Sequence, residues 1–185
     1  MDPTLEASCS EIVELLKNAV VNTRQMARRI FPVHLDKAGL TSALSELTES
    51  STRFFGIACV FECPDPVSVE DHAIGAHLFR IAQEALSNAI RHGKATEIGI
   101  SLTSTSHRLT LAISDNGVGL TVTPEESTGM GLHIMHYRAR MIGATLQAGR
   151  LGDRGTIVRC VLPQRGKQLR ELAASAKTEE LSNAV

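Results

Sequence analysis

Several things are missing from this chain of 185 residues, and each absence removes a class of function. No G-x-x-x-x-G-K-[ST] string occurs, so a P-loop is excluded. Tryptophan is absent, Tyr137 is the one tyrosine, and aromatic residues make up 3% of the chain. Stacking platforms for single-stranded nucleic acid are therefore poor. Net charge is −1, which gives no electrostatic reason to expect nucleic acid as a partner. No apolar run approaches the roughly 20 residues that a membrane span needs, and no membrane contact is expected. The first residues carry Asp2, Glu6 and Glu11 and lack the basic-then-apolar pattern of a signal sequence. Cys9, Cys59, Cys63 and Cys160 show no C-x-x-C spacing. Cys59 and Cys63 lie four apart but have no second Cys/His pair at finger-like spacing, so reduced thiols in a cytoplasmic protein are expected.

What is present suffices for a globular core: 43% of residues are hydrophobic and 21% charged. Residues 5–31 read as one long amphipathic helix, with Leu5, Ile12, Leu15, Leu16, Ala19, Val20, Met26, Ala27 and Ile30 at steps of three and four. Pro32 stops it. A helix of this kind packs on a partner helix or on its own domain. A second helix is expected at 40–55, closed by Gly56, and a strand at 57–61. The third helix spans 70–92. Strands follow at 97–103 and 108–114. Residues 120–130 are polar and aperiodic and read as a mobile loop. A fourth helix covers 131–142, with Leu132, Met135, Ala139 and Ile142 inward and Gly143 as its cap. Strands 145–149 and 155–162 flank a Gly152-Asp153-Arg154-Gly155 turn. Beyond Pro163, the Lys-, Glu-, Ala- and Ser-rich tail is expected to fray. Two hairpins among alternating helices and strands imply an α+β fold, one mixed sheet with helices on one face.

Three segments carry the chemistry. On helix 70–92, Glu84, Asn88 and His92 are spaced by four and form one stripe at the edge of the apolar face. Polar groups there are half-buried and need partners. The amide oxygen of Asn88 suits Mg²⁺, a hard cation. Glu84 can orient a water or accept a proton. Arg91, His92 and Lys94 bring positive charge suited to phosphate oxygens, although Arg91 lies off the stripe and is expected to be solvated. In the second segment, Asp115 ends the alternation Leu109, Leu111, Ile113. A carboxylate at that strand end accepts from an exocyclic amine and so favours adenine over guanine. Gly117 and Gly119 permit a sharp turn and close approach to a flat ligand. Asn116-Gly117 is also an ordinary turn signal. The third segment, Gly129-Met130-Gly131-Leu132, opens a helix whose free N–H groups can seat a phosphate. Gly155-Thr156 adds a hydroxyl within reach of a base.

In this order and spacing the three segments resemble the boxes of the GHKL ATPase superfamily, and more closely the ATP-binding domain of bacterial sensor histidine kinases. Ala82 to Gly93 looks like the N box, Asp115-Asn116-Gly117-Val118-Gly119 like the first glycine box. Gly129-Met130-Gly131-Leu132, with Tyr137-Arg138-Ala139 and Met141-Ile142-Gly143, looks like the second. Phe31 to Leu40 is similar to the junction between dimerisation helices and kinase domain in kinases of the nitrate-sensor and lipid-thermosensor type.

The resemblance implies a Bergerat-type two-layer α/β sandwich over residues 32–164 that binds Mg-ATP. It implies Asp115 on the adenine amine, Asn88 on Mg²⁺ and Glu84 assisting phosphoryl transfer. His92 and Lys94 lie near the phosphates, residues 120–130 form an ATP lid, and Gly117, Gly119, Gly129, Gly131, Leu132 and Thr156 line the nucleotide. Residues 1–31 become the second dimerisation helix and 165–185 a tail. One departure stands out: none of the seven histidines lies in an acidic helical H-box, and His34 sits at a variable position of the junction. The acceptor histidine is therefore expected on a dimerisation helix absent from this chain, which reads as a piece of a larger kinase. Homodimerisation of the full-length protein, a response regulator as partner and a cytoplasmic location follow. Another GHKL ATPase, or an ATP-gated interaction module of anti-sigma type, are the competing expectations.

Overall fold

The computed structural model describes residues 12–13, 39–120 and 130–164. The chain divides into two compact units, Met1–His34 and Leu35–Val185. In the first, Ile12 and Val13 are helical and 55% and 48% exposed. The rest of the expected helix 5–31, the boundary at 31–32, His34, most of the junction at 31–40, loop residues 121–129 and the tail 165–185 lie outside the described residues.

In the second unit, helix α1 (Gly39–Phe55) leads to strand β1 (Ala58–Glu62), helix α2 (His72–Arg91) and the hairpin β2 (Glu97–Ser104) and β3 (Arg108–Asp115). Helix α3 (Met130–Met141) and the hairpin β4 (Thr145–Arg150) and β5 (Thr156–Pro163) follow. The five strands make one sheet in the order β1-β2-β3-β5-β4. β1 is parallel to β2 and every other pairing is antiparallel. The expected mixed sheet is therefore present, and both hairpins lie where they were expected.

The strand pattern decides which face is covered. Ile98, Ile100 and Leu102 of β2 are buried, whereas Gly99, Ser101 and Thr103 between them stay partly or fully exposed. Cross-strand pairing carries this inward face across the sheet: Ile100 pairs with Ile113 and that with Val158, and Leu102 with Leu111 and that with Cys160. All three helices contact the sheet, and α2 lies in the middle of their layer, touching both α1 and α3. Leu78, Ile81, Ala82, Ala85 and Ala89 of α2 are buried in one core with Leu40, Leu44 and Leu47 of α1 and Met135 and Ala139 of α3. Small alanines on α2 let it lie close to the strands, while leucine and isoleucine fill the space to either side. Each large aliphatic side chain buried this way contributes about 1.5–3 kcal/mol. The result is a two-layer α/β sandwich.

Local signals set the ends of α2. Asp71 is its N-cap, and Oδ1 accepts from the N–H groups of Ala73 at 2.8 Å and Ile74 at 3.3 Å. The helix thus begins at His72 rather than at 70, because the cap residue cannot itself be helical. Gly56 and Gly143, both in the left-handed region at φ 66° and 70°, follow the ends of α1 and α3. Cys59, Cys63 and Cys160 are free thiols. Burial pushes Cys59 and Cys160 up to about 11, so both behave as small apolar side chains.

Candidate functional site

The residues picked out by sequence converge where the C-terminal half of α2, the end of β3 and the start of α3 meet. Asp115 is the key to this region. Leu109, Leu111 and Ile113 point inward along β3, and Asp115 is the next inward position, only 8% exposed. A carboxylate occupies a slot whose pattern would place an aliphatic side chain. Its Oδ1 accepts from the N–H of Gly117 at 2.8 Å and of Thr156 at 3.3 Å. Among the described residues, both hydrogen bonds to this carboxylate fall on Oδ1, which leaves Oδ2 for a further donor.

The turn after β3 is built by close backbone contact. Val118 donates its N–H to the Gly93 carbonyl at 2.9 Å, and Gly155 donates to the Gly117 carbonyl at 2.8 Å. A Cβ on Gly117 would collide with the Gly93 carbonyl and come within 2.9 Å of Asp115 Oδ1. Gly119, at φ 82°, would place a Cβ 2.9 Å from the Gly155 carbonyl. Sequence reasoning gave these glycines a sharp turn and a close approach to a flat ligand. The structure shows that chain packing against Gly93 and Gly155 already demands them.

On α2, Glu84 and Asn88 are half-buried at the edge of the apolar face, as the stripe requires. They face the start of α3: a Cβ on Gly131 would lie 2.6 Å from Glu84 Oε1 and 3.1 Å from Asn88 Nδ2. Glycine at 131 thus gives these two polar groups room beside a helix start. His92 continues the spacing by four at the end of the helix. The helix ends at Arg91, and His92 is its exposed C-cap, donating its N–H to the Asn88 carbonyl at 2.9 Å. Lys94 is exposed and left-handed at φ 49°, at the exit from α2. Arg91 is exposed and donates to Ser87 Oγ through Nε at 3.1 Å, which agrees with its exclusion from the site.

Two further residues of the expected site can be placed. Leu132, read both as inward on its helix and as a nucleotide-site residue, is 8% exposed and belongs to the hydrophobic core, in the inward phase of α3 with Met135 and Ala139. Thr156 adjoins the site through its N–H on Asp115 and its pairing with that residue across β3 and β5. Gly129 lies outside the described residues. No group of three or more His, Cys, Asp or Glu that could hold a metal occurs among the described residues. A cation here would therefore need ligands such as the Asn88 amide together with oxygens from a bound molecule.

Sequence reasoning gave Asn116 only a turn role. Its Oδ1 accepts from the N–H groups of Thr96 and Glu97, both at 3.0 Å. Asn-Gly after a strand was the available signal, but it does not reveal partners twenty positions away.

Residues 73–166 match the family described as histidine kinase-, DNA gyrase B-, and HSP90-like ATPase. The chain is 30% identical over 166 residues to the sensor protein VraS of Staphylococcus aureus strain COL, covering 88% of this chain and 46% of VraS. It thus spans about half the length of the curated relatives it matches. Among solved structures, the histidine kinase domain of the blue-light activated histidine kinase of Erythrobacter litoralis EL346 aligns with TM-score 0.56 and 24% identity, over 71% of this chain and 68% of that one. The ATP-binding domain of PrrB from Mycobacterium tuberculosis aligns with TM-score 0.55 and 24% identity, over 68% and 93% of the two chains. At that identity the two structures speak for the fold.

Proposed function

We propose that this chain, which belongs to the histidine kinase-, DNA gyrase B-, and HSP90-like ATPase family, is the ATP-binding catalytic domain of a two-component sensor histidine kinase. The observation that carries the reading is the buried inward carboxylate of Asp115, with Oδ1 held by two backbone N–H groups and Oδ2 open to another donor. An exocyclic adenine amine is the donor such a carboxylate suits, and a guanine carbonyl is not. Similarity to VraS, described as a sensor protein, supports the kinase reading over other ATPases of the family.

The remaining residues take roles that their positions allow. Gly131, at the start of α3, lets phosphate oxygens come close to free helix N–H groups, with Gly129 as its partner glycine. His92 and Lys94 supply positive charge at the exit from α2. Asn88 offers an amide oxygen to Mg²⁺, which when bound would offset charge on the phosphates. Glu84, beside Asn88, accepts the proton that an attacking imidazole loses. The bond between the γ-phosphorus and its bridging oxygen breaks as a phosphorus–nitrogen bond forms, and ADP departs. Catalysis of this kind rests mainly on positioning and charge stabilisation. The acceptor histidine would lie on a dimerisation helix outside this chain, in a full-length homodimer that passes phosphate to a response regulator on the cytoplasmic side.

The test supplies an acceptor in trans. The chain is incubated with γ-labelled Mg-ATP and a separate two-helix dimerisation domain bearing an H-box histidine. Acid-labile, base-stable label on that domain, lost with Glu84→Gln, is the expected result. Steady ATP hydrolysis that ignores the acceptor would replace the kinase reading with that of a hydrolysing ATPase.

A further inference from the structure

Asn116 takes no part in the chemistry assigned above, yet it joins the segments that carry it. Its Oδ1 spans the N–H groups of Thr96 and Glu97, each at 3.0 Å. Its Nδ2 donates to Thr96 Oγ1 at 2.9 Å, and its backbone N–H donates to the Glu97 carbonyl at 3.2 Å. Thr96 and Glu97 directly follow the turn that leaves α2, where Lys94 adopts its left-handed conformation. The clamp extends outward as well, because the Thr96 carbonyl accepts from the N–H of Ala58 at the start of β1. Asn116 is exposed, so burial does not force these bonds. A short amide side chain with both an acceptor and a donor is what makes them.

The neighbours of Asn116 on either side hold the base-recognition group. Asp115 precedes it, and Gly117, which follows it, donates its N–H to Asp115 Oδ1 at 2.8 Å. That bond returns across the turn that Asn116 occupies. Gly117 is pressed against the Gly93 carbonyl on the same side, so the clamp and the glycine contact define one geometry.

We propose that Asn116 is a positioning residue for base recognition: by tying the exit of β3 to the start of β2, it keeps the Gly117 N–H on Asp115 Oδ1 and so holds Oδ2 toward the base. The inference rests on the ATP-binding reading of the site. In Asn116→Ala, three side-chain hydrogen bonds vanish, but the freed N–H groups sit at an exposed rim where water replaces the lost acceptor. The fold therefore survives while the carboxylate loses its fixed rotamer.

The test is calorimetric affinity of the whole chain for Mg-ATP and Mg-ITP, which carries a carbonyl where ATP has the amine. The wild type should favour ATP by about tenfold or more. In Asn116→Ala that preference should shrink by about threefold or more, with ITP affinity changed less than twofold. Asn116→Asp retains an acceptor for both N–H groups and should recover most of the preference. A residue that only stabilises the fold would weaken both nucleotides together, so an unchanged preference in Asn116→Ala overturns the proposal. Should the alanine variant fail to fold, Asn116→Ser, whose hydroxyl cannot span both N–H groups, is read by the same ratio and the same criterion. A wild type without preference for ATP would instead refute the ATP reading of Asp115 itself.

Discussion

Replacing Asp115 with asparagine separates recognition from folding at one atom. Asparagine keeps an oxygen where Oδ1 accepts from Gly117 at 2.8 Å and Thr156 at 3.3 Å, so the turn after β3 retains its internal bonds. What changes is the other terminal atom. Oδ2, an acceptor, becomes Nδ2, a donor, and it then faces the amine of adenine donor to donor. Loss of a charge-assisted hydrogen bond costs about 1.5–3 kcal/mol. That corresponds to roughly a ten- to hundred-fold weaker affinity for Mg-ATP. The unliganded protein should respond hardly at all. Both Oδ1 bonds of this buried position survive the exchange. Calorimetry gives the affinity, and thermal melting without nucleotide gives the stability. A folded Asp115→Asn variant that binds ATP within threefold of the wild type would show that this carboxylate does not read the base. A melting temperature that collapses along with affinity would mean that Asp115 acts by holding the fold.

Two other outcomes are expected. Asp71→Ala removes the N-cap of α2 and should cost about 1 kcal/mol in urea unfolding. Because the cap lies at the end of α2 away from Asn88, ATP affinity in the folded variant should stay near the wild-type value. Acid should destabilise the protein through His77 and His136. Burial chiefly, then Arg138, holds His77 below its ordinary value of 6.5. Burial, then Arg140 and His133, does the same for His136. The unfolded chain therefore binds more protons than the folded one as pH falls through and below 6.5, and stability is lost in that direction. Melting temperature should drop from pH 7 toward pH 5, and His77→Gln should flatten the slope; an unchanged slope would clear His77 of the effect.

The parts of this molecule that were legible in its sequence are those governed by local periodicity. The period-two run of Leu109, Leu111 and Ile113 announced both β3 and the inward direction of Asp115. The apolar face of α2 placed Glu84 and Asn88 at a half-buried edge. Sheet order was a different matter. The β4–β5 hairpin could be read, but that β5 rather than β4 lies beside β3 depends on contacts remote in sequence. Its inward residues Val158 and Cys160 must meet Ile113 and Leu111 in register, and strand patterns alone allow other neighbours. His92, read at the end of that stripe, is the C-cap one residue past α2 and still bonds the Asn88 carbonyl. Leu132 was legible as an inward position of its helix, where a motif position and a core position coincide. In α3 the phase set by Met135 and Ala139 decides for the core.

The same contacts explain why the two ends of the site stand or fall together. The Asn88 carbonyl accepts from the N–H groups of His92 and Gly93, which ends α2 in a compact turn. The Gly93 carbonyl then accepts from Val118, and Gly117 packs on it. Gly155, at φ 89°, lies so close to the Asp115 carbonyl that any side chain would collide there. Through these glycines the backbone of the metal-ligand candidate Asn88 is connected to that of the base-reading candidate Asp115 by consecutive hydrogen bonds and close contacts, with no long side chain between them. A flexible connection would let base and phosphates be gripped independently, and each grip would carry its own ordering cost. A rigid one fixes the distance between them before the nucleotide arrives. Glycine at 93, 117 and 155 lets the backbone close up to that fixed spacing, since a Cβ at each would meet neighbouring backbone.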